Sequence, residues 1–189
     1  MPEAGRRLLH SRSLLVEAFA RDDGLFDLVA LLRDVKPKDF QLETHVCPAG
    51  TPVHDMELSV TIDARMQIHA VKASTRAMPY EGACDSFADS YQKLVGLNLA
   101  NNFRAQVRER VGGVLGCTHL TELTDLLPTV AVQAFAGEVF KIDAQTQTMP
   151  MQLGRCRALR LDGPVAARLY PRWARAAVDV QGNSEGEAG

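Results

Sequence analysis

The clearest alternation in the chain is HDMELSVTID. His54, Met56, Leu58, Val60 and Ile62 fall on one parity, and Asp55, Glu57, Ser59, Thr61 and Asp63 fall on the other. Successive side chains of a strand point to opposite faces. A period of two therefore predicts a strand with one apolar and one wet face, as in an antiparallel sheet. Asp63-Ala64-Arg65 turns the chain and MQIHAVKAST returns, which predicts a hairpin over about 53–76. Upstream, LLHSRSLLVEAFA from Leu8 is rich in apolar and β-tolerant residues, and LFDLVALLRDV to Val35 is apolar on both parities. The second run fits a two-sided strand or a short helix. The intervening RDDG favours the strand, because Asp23-Gly24 is a hairpin signal and Gly accepts positive φ. VKPKDF and CPAGTP read as loops.

Downstream the period lengthens to that of a helix. DSFADSYQKLVG spaces Phe87, Tyr91, Leu94 and Val95 along one face, with Gly96 able to end it. NLANNFRAQVRERVGG carries Leu99, Phe103, Val107 and Val111 in one stripe, stopped by Gly112-Gly113. A third stripe contains Leu120, Leu123, Leu127, Val130, Ala131 and Ala134. Pro128 inside it should kink or split the helix, because its ring removes a backbone bond. After Gly137, KIDAQTQTMPMQLG is loop-like, RCRALRLDGPVAARLYPRW predicts a strand, an LDGP turn and another strand, and QGNSEGEAG has the composition of a disordered tail. Strands first and helices after predict an α+β fold. The expected architecture is an antiparallel sheet of two hairpins from the N-terminal half, about three helices from the second half on one face, and a short C-terminal hairpin. Residues 1–175 form one expected domain, with a core at 8–137, an extension at 138–175 and a tail at 176–189.

Composition narrows the function classes. With 189 residues and 46% hydrophobic content, the chain suits one ordinary globular core. A net charge of −2 and a pI near 6.2 argue against nucleic acid as a partner. Arg, Asp or Lys interrupts every apolar stretch, so no membrane span is expected. The N-terminus lacks a continuous apolar region and a cleavage site, so no signal peptide is expected either. Cys47, Cys84, Cys117 and Cys156 are widely spaced and, in a cytoplasmic protein, reduced. No GxGxxG, GxxxxGK or GxSxG pattern occurs, so no nucleotide cofactor is indicated. The expected partner is an unidentified protein or small molecule.

The candidate chemistry lies in GCTHLTEL. Cys117 falls at or just before a predicted helix start, where unpaired N–H groups stabilise a thiolate, and His119 is two residues on. A thiolate serves a metal or an electrophile; the bland alternative is a buried apolar cysteine beside a surface histidine. Cys84 also precedes a predicted helix, after Gly82. His54 opens the alternating strand, beside Asp55. Two thiolates and two imidazoles would suit zinc or iron, or less well an iron–sulfur cluster. Without a metal, Cys117 would be a nucleophile with His119 or His54 as its base. Arg104, Arg108 and Arg110 make a basic run that a solvated face explains.

The segments LLHSRS, ARDDGLFD, LLRDVKP, PVHDMELSVTID, YEGACDSFADSYQKLVGLNL, RERVGGVLGCTHLTEL and YPRW, from Leu8 to Trp173, resemble the uncharacterised bacterial family called domain of unknown function 2889. More distantly, a hairpin, a Cys after a glycine, helices and a last Cys heading a helix look like the NifU/SufE-type fold of iron–sulfur scaffold and sulfur-transfer proteins. That resemblance implies a site where Asp55, Cys84 and Cys117 meet. Three features depart from it. The scaffold's first cysteine has no match, although His54 lies near its place; Gly116 stands where the scaffold has a histidine; and GGVLG replaces its chaperone-binding proline motif. Arg157 stands where the family tends to have a histidine, which leaves Cys156 without a ligand role. The combined expectation is a metal site of Cys84, Cys117, His119 and His54 or Asp55. The rivals are a thiol enzyme or sulfur-transfer protein using Cys117, and a non-catalytic binding or accessory protein.

Overall fold

A computed structural model describes residues 4–43, 45–140 and 147–175. The chain divides into two compact units, Met1–Ala136 and Gly137–Gly189. In the first, β1 (Ser11–Ala20), β2 (Phe26–Val35), β5 (Pro52–Ile62) and β6 (Ile68–Ala77) form one antiparallel sheet in the order β1-β2-β5-β6. The two long hairpins read from the sequence are both present. The first closes through Gly24, whose φ of 80° sits in the region that favours glycine. The second closes at Asp63, whose carboxylate accepts the backbone N–H groups of Arg65 and Gln67. Between the hairpins, β3 (Phe40–Gln41) pairs with β4 (Val46–Cys47) as a separate small ribbon.

Alternation decides which face of the sheet is covered. Leu28, Ala30 and Leu32 of β2 lie opposite Val60, Leu58 and Met56 of β5, and all six are buried. Onto this face pack α2 (Thr118–Thr124), which lies against β2 and β5, and α3 (Leu127–Phe135), which lies against β1 and β2. A 3-10 helix at Ala88–Leu94 covers β6, and α1 (Phe103–Val111) packs on that helix and on α2. Phe135 meets Phe26 with ring centroids 4.6 Å apart. The opposite face carries Asp55, Glu57, Ser59 and Thr61, as the alternation requires.

Two readings of the helical half need correction, and a third holds. The Ala88–Leu94 segment is a 3-10 helix rather than an α-helix. The second helix starts only at Phe103: Leu97 accepts a bond from the Ile68 N–H and Leu99 gives its N–H to Met66, so this stretch runs along the β6 hairpin instead. Leu99 is buried there by pairing and not by helical periodicity. The third helix is split, as Pro128 required, and the proline occupies the first turn of α3, where a missing N–H costs nothing.

In the second unit, the expected strand–turn–strand from Arg155 is a series of turns followed by α4 (Pro164–Leu169). Pro164 fixes φ at a helical value immediately after Gly163, and Ala166 and Ala167 favour a helix, so the LDGP signal starts a helix rather than a hairpin. Much of the KIDAQTQTMP loop and all of the expected tail lie outside the described residues. Among the described residues no helix is long and apolar enough to cross a membrane.

Candidate functional site

Following the apolar parity of β2 one step past Leu32 reaches Asp34, directly opposite His54 of β5. An acid now stands where the pattern had placed leucine and alanine, and it is 2% exposed. Burial alone would raise its pKa. Arg12 of β1 overrides that by donating Nε to Oδ1 at 2.8 Å and Nη2 to Oδ2 at 2.7 Å. With the charges of His54 and His10 added, the carboxyl is held down at about 2. His54 Nδ1 lies 3.0 Å from Oδ2, and His10 Nε2 lies 3.1 Å from Oδ1. The remaining Arg12 nitrogen, Nη1, donates to Glu122 of α2 at 2.6 Å, which ties the helix to the edge strand. The β2–β5 register shifts between Asp34 and Val35, and the β5–β6 register shifts between Asp55 and Met56. Both irregularities flank His54, at the strand end where bulges commonly re-aim side chains.

The third partner comes from α2. His119 Nε2 is 3.8 Å from Asp34 Oδ2, and its ring lies against that of His54 with centroids 4.0 Å apart. Its other nitrogen, Nδ1, is 3.8 Å from the Cys117 sulfur. Burial pushes the Cys117 thiol up, but the contact with His119 and the backbone N–H groups of Leu120 and His119 bring it below its ordinary value. Burial and the neighbouring His119 lower the pKa of His54, with Asp34 opposing them, so the imidazole is biased towards its neutral, ligand-competent form.

Cys117 is fixed by its backbone. The hydroxyl of fully buried Tyr91 donates to the Cys117 carbonyl at 2.7 Å and accepts the Cys117 N–H at 3.1 Å; Thr121 Oγ1 lies 2.9 Å from it. Gly116 makes room for this clip, since a Cβ there would lie 2.5 Å from the Val111 carbonyl and 3.1 Å from the Tyr91 hydroxyl.

Among the described residues, Asp34, His54 and His119 offer ligand atoms that all lie within 4.8 Å of one another. Of the residues expected from sequence, His54 and His119 are thus brought together, and Cys117 stands beside them against His119. Cys84 and Asp55 do not join them. Cys84 sits half-buried in a turn, its N–H bonded to the Tyr80 carbonyl. Asp55 is one residue from His54 and so faces the other side of the sheet, where it pairs with Arg76 at 2.9 Å. The carboxylate of the cluster is Asp34, and Arg12 and His10 are its further partners. The one local signal for Asp34 is an acid on the parity of Leu28, Ala30 and Leu32, which Val29 and Leu31 on the other parity leave without distinction.

No curated protein and no solved structure matches the chain. A protein-family model does, over residues 10–133, a span that includes every residue of the cluster. The chain belongs to the family described as Protein of unknown function (DUF2889).

Proposed function

We propose that the chain binds one transition-metal ion, zinc or iron, through His54 Nδ1, His119 Nε2 and an oxygen of Asp34. The observation that carries this reading is the convergence of two imidazoles on one buried carboxylate held ionised by Arg12. Ligand atoms around tetrahedral zinc sit roughly 3.3 Å apart, given metal–ligand distances of about 2.0–2.1 Å. The two contacts to Oδ2, 3.0 and 3.8 Å, fall on either side of that value. Each carboxylate oxygen can accept two partners. At Oδ2 one place goes to Arg12, and the other, filled by the His54 contact, is the one a metal would take. A metal there would need the neutral His54 ring to carry its one proton on Nε2, leaving Nδ1 free to ligate. Two imidazoles and a carboxylate leave coordination positions open, as catalytic sites do, and the ion would supply Lewis acidity or an activated water. Cys117 would accept a hydrogen bond from His119 Nδ1–H and orient that ring.

The test is elemental analysis and cobalt(II) titration of untagged protein purified anaerobically without chelators. Near-stoichiometric metal is expected in the wild type and in Cys84→Ala, and a loss in His54→Ala, His119→Ala and Asp34→Asn. A wild type that neither carries metal nor binds added cobalt overturns the reading. A thiolate-to-cobalt charge-transfer band lost in Cys117→Ser would move Cys117 into the ligand shell.

The Cys117–His119 contact favours a second reading. There His119 Nδ1 takes the Cys117 proton, Asp34 faces the opposite ring nitrogen, and the thiolate attacks an electrophile. A sulfur-transfer role of the NifU/SufE type would use the same thiolate. This reading expects alkylation of chelated protein at Cys117 to be fast near neutral pH and slowed by His119→Ala. Slow alkylation insensitive to that change sinks it.

A further inference from the structure

Beyond the cluster, the ends of β1 and β2 lead into a second feature. Arg7, Leu8 and Leu9 precede His10, and Lys36, Pro37, Lys38, Asp39 and Phe40 follow Val35. Together they line a cavity of about 200 Å³. Three cations stand there against one carboxylate, and Asp39 already accepts the Ala49 N–H at 2.9 Å. Arg7, Lys36 and Lys38 take part in none of the ion pairs among the described residues. Lys36 Nζ lies over the Phe40 ring, 5.2 Å from its centroid. Leu8 and Leu9, at 64% and 63% exposed, leave apolar surface beside those charges. Unpaired cations flanking uncovered apolar side chains match a molecule with both characters.

We propose that this cavity binds a small organic anion, a carboxylate or phosphate monoester on a short apolar group. Arg7, Lys36 and Lys38 hold the anionic head, and Leu8, Leu9 and Phe40 cover the body. The cavity is smaller than the roughly 300–1,000 Å³ that takes a drug-sized ligand, so the occupant is small. Strands rise roughly 3.3 Å per residue, which puts Lys36 about 7 Å along the chain from Asp34. Leu9 adjoins His10, which touches Asp34. A molecule held there lies next to the histidine cluster. That it is the substrate rests on the metal reading; that it binds does not.

The experiment titrates the full-length protein with hexanoate and hexyl phosphate, with inorganic phosphate and hexanol alongside, by calorimetry and amide NMR. At least one hexyl anion should bind saturably, with shifts concentrated at residues 7–9 and 36–40, and the tighter one names the head group. The double variant Lys36→Gln/Lys38→Gln should weaken binding at least tenfold. Phe40→Ala should weaken the hexyl anion while leaving inorganic phosphate unchanged. Chelator-treated protein should bind the hexyl anions as tightly as untreated protein, which separates this result from the fate of the metal site. Four outcomes overturn the proposal: no saturable binding of either hexyl anion, equal affinity for inorganic phosphate, indifference to the lysine variant, or binding to anionic vesicles with none to the monomeric anions.

Discussion

One stripe of side chains on the helix-covered face of β2 and β5 changes character over a single step. Leu32 and Met56 stand opposite each other, both fully buried. Two residues along, Asp34 and His54 stand opposite each other, and Asp34 is buried almost as deeply. The middle of the stripe is held by contacts without direction, and any neighbour of suitable volume would serve. At the end of the stripe each group needs a particular partner at a particular angle, and the partners come from β1, β2, β5 and α2. Near-equal burial of Leu32 and Asp34 on one face thus conceals two kinds of dependence on the rest of the chain. Substitution separates them.

The largest effect is expected at Asp34. Asp34→Ala leaves Arg12 and three histidines around a missing anion, and removing one partner of a buried pair costs about 3–5 kcal/mol. Leu32→Ala in the middle of the stripe costs a similar 2–5 kcal/mol, roughly, through lost transfer energy and a cavity. Urea unfolding should therefore fail to tell the two apart, whereas metal content should: lost in Asp34→Ala, kept in the folded fraction of Leu32→Ala. The double variant Arg12→Met/Asp34→Leu sharpens the contrast, because an apolar pair of similar volume can restore stability without restoring a ligand. Metal retained by that double variant would break it.

This contrast also explains what the sequence made legible. β5 announces both of its faces because its alternation is strict, and Pro128 announces the break between α2 and α3. β2 is apolar on both parities, so Asp34 becomes a core-facing acid only once the β2–β5 register sets it opposite His54. Asp55 looked the better ligand because it adjoins His54, yet adjacency along a strand means opposite faces. Cys84 and Cys117 share a local pattern, a nearby glycine before and polar residues after. What separates them is the Tyr91 hydroxyl, 26 positions from Cys117, which grips only one of them. Long-range partners of this kind leave no mark in local periodicity.

Acid titration attacks the same end of the stripe more gently. Asp34 titrates at about 2 in the folded chain against an ordinary 3.8. The folded state therefore binds fewer protons than the unfolded one between those values. The resulting stabilisation is complete above roughly pH 4–5 and is lost as pH falls towards 2; at 1.36 kcal/mol per unit it amounts to about 2 kcal/mol. His54, whose pKa is lowered by burial and by His119, adds a slope of the same sign that begins as pH falls below 6.5. Unfolding free energies measured from pH 7 to 3 should fall in these two stages, and Asp34→Asn should shrink the lower one, leaving the smaller share of Asp23 and Asp63. A lower stage unchanged in that variant would place the acid sensitivity elsewhere.

Tyr91→Phe tests whether the clip on Cys117 belongs to the directional end. The ring still fills its buried space, but the Cys117 carbonyl and N–H lose their partner, at about 1–2 kcal/mol in total. If the clip positions the sulfur against His119, the variant should also shift the pH profile of Cys117 alkylation towards an ordinary thiol. Stability lost with the profile unmoved would assign Tyr91 to the packed core alone.

Asp55→Ala should do least, and it tests the face assignment most directly. Asp55 and His54 are neighbours in sequence, and all the energetic weight given to His54 depends on their pointing in opposite directions. Asp55 pairs with an Arg76 that is 52% exposed and shared with Glu57. Pairs of that kind contribute roughly 0–1 kcal/mol, most of it screened by salt. The expected change in unfolding free energy is therefore within about 0.5 kcal/mol at physiological ionic strength, with metal content and Cys117 reactivity unaltered. If Asp55→Ala emptied the metal site while Asp34→Asn left it filled, β5 would be paired one residue out of register. A slip of one residue moves every side chain of a strand to the other face. The stripe from Leu58 through Met56 to His54 would then face solvent, contrary to the burial of the first two.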